Sequence, residues 1–407
     1  MFRDLRNYLE YLEKNGKLLR VDEEVDARFE IAAGIRRTSD EDGPALLYNN
    51  VRGFPGWRVT GGLYATQKLI ALALGLPQDA DEDAMTGRYL ECFDKRVEPE
   101  TVTTGPVKDI IILGDDVDLN SLPISTYSAH DAGPYLAAGV EIAKDPETGV
   151  QNVSIHRRMV LDRGRTSILA QGYQHLGQMI QAAEKKGQGL GIATVLGADP
   201  SLVLASQIKA PKGVDEAAIA GAFRGSPLEM VKCETIDVDV PANAEIVIEG
   251  VTVPGERVMD GPFGEFPGNY ITLMGTTQSE TWVIKVTAIT MRKDAIFQAM
   301  LTGKPTTENH TLKKWSTAAA AFQEASRVSE VKSVNLTRGG AGYHFVVSIY
   351  KKAEQEPRSL IYTMLSARLG GKLVTVVDDD VDVYDPEAVE WALATRMWAH
   401  RDIYIVP

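Results

Sequence analysis

From about residue 101 to residue 300, runs of alternating apolar and polar residues, rich in β-branched side chains, recur along the chain. Arg158–Leu161, Ile236–Val240, Ala244–Val253 and Thr281–Met291 carry this pattern, with Pro and Gly between them. A period of two sends neighbouring side chains to opposite faces of a strand, so these runs read as strands and not helices. Two helical stretches, 173–185 and the Ala-rich 215–224, interrupt the block. It predicts an all-β barrel core with inserted helices in preference to a parallel sheet.

The flanks have a different texture. Leu5, Leu9 and Leu12 lie at i, i+4 and i+7, one apolar stripe of a helix that Asn15-Gly16 ends. Short strands follow at Lys17–Val21 and Pro44–Tyr48, with a helix over Glu30–Arg37 between them. Trp57–Gly61 then leads into a helix over Gln67–Leu76. The acidic, turn-rich run 77–87 reads as solvated surface. After Lys304-Pro305 a helix over 312–329 acts as connector, and strand and helix alternate from Tyr343 to Met397. The terminal Tyr404-Ile405-Val406-Pro407 is apolar and strand-like. The class is α+β, divided into residues 1–100, 101–305 and 306–407.

Composition limits the function. The 407 residues carry 43 Lys and Arg against 56 Asp and Glu, a formal charge of −13. That balance argues against nucleic acid or an anionic membrane surface as main partner. No apolar run reaches the roughly 18–20 residues a bilayer span needs. The first residues are charged and lack the apolar segment of a secretory signal. Two cysteines, Cys92 and Cys233, make neither a disulfide framework nor a zinc knuckle. The expectation is a cytoplasmic enzyme in a reducing compartment.

Chemistry-bearing residues gather at a few strand ends and turns. In NVSIHR (152–157), read as a strand, positions 152, 154 and 156 share one face and 155 and 157 the other. Gln174 and His175 open the next helix, Glu216 lies near the start of another, and DGPFGE (260–265) has an acid at each end. Singly, His175 is an ordinary helix residue, and Asn152 and Glu216 suit caps or turns. Together they form a mixed nitrogen and oxygen set suited to Mn²⁺ or Mg²⁺, with positions left open for a phosphate. Arg157 offers a planar fork for a carboxylate. Two acids beside an arginine, Asp260 and Glu265, can titrate apart so that one shuttles a proton.

The ordered segments DLRNYLEYLEKNGKLLRVDEEVD, NVSIHR, QHLGQMI, GVDEAAIAGA, DGPFGE, PTTENHT and DDDVDVYDPEAVEWALATR resemble the UbiD-type decarboxylases along nearly the whole chain. That family uses prenylated FMN to remove CO₂ from aromatic, heteroaromatic and α,β-unsaturated acids. The resemblance implies a central split β-barrel flavin domain between an N-terminal α/β unit and a C-terminal α/β oligomerisation domain. It implies that Asn152, His175 and Glu216 hold manganese (or Mg²⁺) on the cofactor phosphate. Backbone carbonyls of Ala205, Ser206 and Ile208 would hold potassium. Val153, Ser154, Ile155, His156, Arg157 and Gln174 would line the flavin.

By the same resemblance Arg157, Asp260 and Glu265 form an acid–arginine–acid network, with Glu265 as proton donor. Many relatives carry Glu where this chain has Asp260, and the shorter arm bears on the network's reach. Asn309 either contacts a heteroaromatic substrate or caps the helix that follows. A flavin prenyltransferase would supply the cofactor, and a homodimer or larger homo-oligomer is expected. Many relatives continue past the position of Pro407 with a helical tail that shapes the pocket and clasps a second subunit. A metal-dependent hydrolase without flavin, or an inactive flavin-binding protein, are the competing readings.

Overall fold

The computed structural model describes residues 1–270 and 277–406. They divide into two compact units, Met1–Ala80 with Glu91–Leu312, and Asp81–Leu90 with Lys313–Pro407.

The first unit opens with helix Leu5–Lys14. The Asp4 side chain accepts the Asn7 N–H, and Leu5, Tyr8, Leu9 and Leu12 form its buried stripe. Gly16, at φ +64°, lets the chain reverse after it. A four-stranded sheet follows in the order Leu18–Val21, Ala45–Tyr48, Arg58–Gly61 and Ile296–Gln298. Helix Gln67–Ala73 stops short of the expected Leu76, and Gly75 at φ +73° turns the chain.

The acidic run 77–87 is largely at the surface, as expected, but it is not turn throughout. Helix Glu82–Asp94 starts inside it, with Asp81 accepting the Ala84 N–H and acids in the first turn. Met85, Tyr89 and Cys92, at i, i+4 and i+7, are its buried face. Negative charge at a helix N-terminus is stabilising, so the composition that suggested a loop starts a helix instead.

The dominant element is a nine-stranded sheet. Its path runs Tyr135–Leu136, Arg158–Asp162, Arg165–Ile168, Ser279–Met291, Ile246–Asp260, Gly191–Leu196, Val140–Lys144 and Gln151–Ile155, with Ile110–Leu113 also on Ser279–Met291. The 246–260 strand runs well past the Val253 expected from sequence. Two register shifts against its neighbour let it bend, one at Glu249/Gly250. A Cβ on Gly250 would lie 2.7 Å from the Lys285 carbonyl oxygen, so only glycine fits this close approach.

The ladder does not close into a barrel among the described residues. Arg158, near one end of the path, nevertheless bonds Thr194 and faces Glu141 near the other end. The sheet is therefore curled but open, within a mixed α+β unit. Helix His175–Lys185 packs Leu176, Met179, Ile180 and Ala183 onto Ile168, Ile192, Trp282 and Ile284 of this sheet.

The second unit holds a three-stranded sheet, Val331–Leu336, His344–Ile349 and Leu373–Asp378, antiparallel then parallel. Phe345, Val347 and Ile349 pack with Leu360 and Met364 of helix Glu356–Ser366. Val346 and Val377 pack toward Val389 and Ala392 of helix Pro386–Arg396. Residues 403–406 form no strand, and Ile405 is 90% exposed. An apolar alternation without a neighbouring strand to bond is not enough to make one. Among the described residues no helix is long and apolar enough to cross a membrane.

Candidate active site and cofactor crevice

The strand Gln151–Ile155 ends two residues before Arg157, and the next strand starts at Arg158. Arg157 therefore sits in the two-residue connection His156-Arg157 between two strands that lie near opposite ends of the sheet path, not on the strand face that alternation suggested. There its side chain reaches the far end of the 246–260 strand. Its Nε donates to Asp260 Oδ1 at 3.0 Å, and its Nη1 donates to Glu265 Oε1. Asp260 is fully buried, Arg157 is 9% exposed and Glu265 is 23% exposed. The guanidinium carbon also lies 4.8 Å from the Phe263 ring centre and 5.9 Å from that of Tyr135. Aromatic faces favour a desolvated cation, so the fork is held by two acids and two rings.

Three groups in this cluster escaped the sequence reading. Ser167 donates its hydroxyl to Asp260 Oδ2. Tyr135 and Phe263 pair at 4.3 Å and flank the arginine. Asp131 accepts the Gly264 N–H at 2.9 Å and the Ser128 N–H at 2.9 Å, and Ala132 N–H donates to the Pro262 carbonyl at 2.8 Å. The turn 128–132 thus grips the loop that carries Glu265. Burial raises the Asp131 carboxyl above its ordinary range despite these N–H donors and the charge of Arg157. No local signal in the sequence links Asp131 to Gly264.

A second cluster lies at the other end of the 151–155 strand. Asn152 and His175 line one crevice. Asn152 donates its amide nitrogen to Ser154 Oγ at 3.0 Å, which leaves its carbonyl oxygen for a ligand. His175 is the first residue of its helix, and burial, then the charge of Lys212, lowers its pKa so that a lone pair is available. Glu216 begins helix Glu216–Arg224, is 3% exposed, and accepts the Val153 N–H at 2.8 Å. Burial pushes its pKa up to about 8. Among the described residues burial, backbone N–H groups and the charge of Asp215 set this carboxyl, which fits a group that a metal ion would ionise. Among the described residues no three His, Cys, Asp or Glu cluster at ligand spacing, so a metal here has to recruit the Asn152 amide.

The remaining expected residues fall as follows. Val153 and His156 are buried, and Ser154 and Ile155 half-buried. His156 donates Nδ1–H to the Leu169 carbonyl at 3.0 Å, and burial lowers its pKa to about 4, so the ring is neutral. Gln174 precedes its helix, its side-chain oxygen accepting the Gln171 N–H at 2.7 Å. Gly177 in that helix is a close-approach glycine, because a Cβ there would meet the Gln171 carbonyl oxygen at 2.1 Å. Ala205 and Ser206 end helix Pro200–Ala205, and the Ala205 carbonyl accepts the Ile208 N–H at 2.9 Å. Asn309 is the second residue of helix Glu308–Ala325, which starts earlier than 312, so Asn309 is inside the first turn and is not its cap.

Comparison with known proteins identifies the family of the chain. Three family models match in series. They are the 3-octaprenyl-4-hydroxybenzoate carboxy-lyase N-terminal domain at residues 9–86, the Rift-related domain at 100–305, and the C-terminal domain at 310–407. The chain belongs to the UbiD family. Within it, the anhydromevalonate phosphate decarboxylase of Methanothermobacter thermautotrophicus is 35% identical over 99% of this chain and 90% of its own length. An evolved dimeric form of the UbiD-class enzyme HmfF from Pelotomaculum thermopropionicum, in complex with prFMN, is 40% identical. Its TM-score is 0.91, covering 99% of this chain and 92% of that one. Vanillic acid decarboxylase from Sedimentibacter hydroxybenzoicus, in closed form, is 30% identical with a TM-score of 0.90. It covers 99% of this chain and 86% of that one.

Proposed function

We propose that this UbiD-family chain is a carboxy-lyase that removes CO₂ from an aromatic, heteroaromatic or α,β-unsaturated acid, with prenylated FMN as cofactor. The observation that carries this reading is the buried Arg157 shared by Asp260 and Glu265 at one end of the 151–155 strand, with the Asn152/His175 crevice at the other end and Glu216 bonded to Val153 of that strand. When bound, the cofactor supplies an electrophilic ring that takes up the electron pair released as CO₂ departs.

The residues of the chain supply position and protons. Asn152, His175 and Glu216 hold Mn²⁺ or Mg²⁺ against the cofactor phosphate, and the Ala205, Ser206 and Ile208 carbonyls hold potassium. Residues 153–156 and Gln174 line the flavin. Arg157 receives the substrate carboxylate. Asp260, bonded by Ser167 and Arg157, fixes that fork in one orientation. Glu265, the more exposed acid, delivers the proton to the carbon that loses CO₂. Net, a C–C bond breaks and a C–H bond replaces it. A flavin-free hydrolase leaves the Arg157 clamp without a role.

Asn309 is half-buried in the first turn of helix Glu308–Ala325, and its side-chain amide is the group offered to a heteroaromatic ring. The split-barrel description, a homodimer, a cytoplasmic location and supply of cofactor by a flavin prenyltransferase belong to the same reading. Protein co-expressed with such a prenyltransferase tests it. Glu265→Gln is expected to keep its flavin absorbance and lose CO₂ release by at least about a hundredfold. Unchanged turnover removes Glu265 from the role, and absence of flavin from folded protein supplied with Mn²⁺ removes the whole reading. Asn309→Ala should shift the substrate profile on a panel of aromatic acids.

A further inference from the structure

Lys212 lies in the loop ahead of helix Glu216–Arg224 and lines the same crevice as Asn152 and His175. Its Nζ is 3.6 Å from Asp145 Oδ2 and 3.4 Å from Glu147 Oε2, with the side chain 51% exposed. Both separations exceed those of a close ammonium–carboxylate hydrogen bond, roughly 2.7–2.9 Å. Asp145 is only 10% exposed and Glu147 is exposed, but Lys212 is itself half in solvent, so its long, flexible arm can turn toward a ligand in the crevice.

Charge balance shows what the arm is for. A divalent ion held by one carboxylate, Glu216, brings one net positive charge to a phosphate monoester dianion. One negative charge is left over, and Asp145 at the crevice wall adds another. Among the described residues lining the crevice, Lys212 is the one that brings positive charge. We propose that Lys212 is a phosphate-binding arm that makes the site select a phosphorylated flavin over its dephosphorylated form. This rests on the flavin reading above and adds a residue to it. The bland alternative is a solvated lysine satisfied by Asp145 and Glu147.

The test is flavin fluorescence quenching with FMN and with riboflavin, in the presence of Mn²⁺, on the wild-type chain and on Lys212→Ala, Lys212→Glu and Lys212→Arg. Lys212→Ala is expected to weaken FMN binding about tenfold, with a larger loss for Lys212→Glu and near-recovery for Lys212→Arg. Riboflavin affinity stays the same in all four proteins, and the salt dependence of FMN binding becomes shallower in Lys212→Ala. FMN affinities of Lys212→Ala and Lys212→Glu equal to wild type overturn the arm. Wild-type protein that binds riboflavin as tightly as FMN, or binds neither, overturns the flavin-phosphate reading beneath it. An unchanged unfolding temperature shows that each variant is folded.

Discussion

Asp131 shows how far a proton donor's position depends on groups that never touch substrate. Among the described residues the loop of Glu265 is closed by Glu265 N–H to the Asn269 carbonyl and Gly268 N–H to the Glu265 carbonyl, both at 2.9 Å. The outer grip comes from Asp131 on Gly264 N–H, one residue before Glu265. Without it the acid is free to wander by fractions of an ångström, enough to change rates by about ten- to a hundredfold. Asp131→Ala is therefore expected to lower kcat by about that factor with flavin binding unchanged. Asp131→Asn, which keeps an acceptor oxygen, should recover most of the rate. If both variants lose the same activity, the charge of Asp131 and not its grip on the loop is what matters.

At the scale of elements, the opening turn of helix Glu308–Ala325 lies in the first unit and is anchored there by Glu308. Glu308 is fully buried, and its carboxylate accepts N–H groups of Leu301 at 3.1 Å and Tyr64 at 3.3 Å. Burial pushes its pKa up to about 7 from an ordinary 4.5, against the pull of those donors. Tyr8 and Tyr127 lie close enough to feel its charge, and both phenols are raised, so neither ionises in the same window. A raised folded-state pKa means the folded chain holds a proton that the unfolded chain releases. The resulting stability is fully present below about pH 4.5 and is lost as pH rises through about 7. At about 1.4 kcal/mol per unit the loss is about 3 kcal/mol. Glu308→Gln cannot titrate, so the wild-type unfolding temperature should fall relative to the variant between pH 5 and pH 8, a window of about three units. Parallel curves would show that Glu308 does not carry this proton.

At the scale of the whole molecule, periodicity placed most helices and the main strands because each reports only on its own neighbours. The 173–185 and 215–224 helices, and with them His175 and Glu216, were legible for that reason. What periodicity does not carry is where a strand stops and what it curls toward. The 246–260 strand runs on to Asp260 with Ser279–Met291 as its partner, and Arg157, outside any strand, meets it there through its bond to Asp260. Asp131 and Gly264 meet through the same long-range geometry.

A buried pair spans the curl. Arg158 and Glu141 are both fully buried and 3.6 Å apart, bridged by Thr194, whose hydroxyl donates to Glu141 at 2.8 Å. Arg158 Nε also donates to Thr166 Oγ1 at 2.9 Å. Burial drives the Glu141 pKa up to about 7, outweighing the nearby arginine, so the pair costs desolvation and holds position in return. Glu141→Ala strands a buried guanidinium and is expected to cost about 3–5 kcal/mol by denaturant unfolding. The double variant Glu141→Leu with Arg158→Met removes both charges and should recover most of that loss. Losses that simply add would mean the two residues act separately, and the curl would then be held by apolar packing along the strands. Recovery of stability without recovery of activity would show that the pair's use is to set where Arg157 and the Asp260 strand end meet.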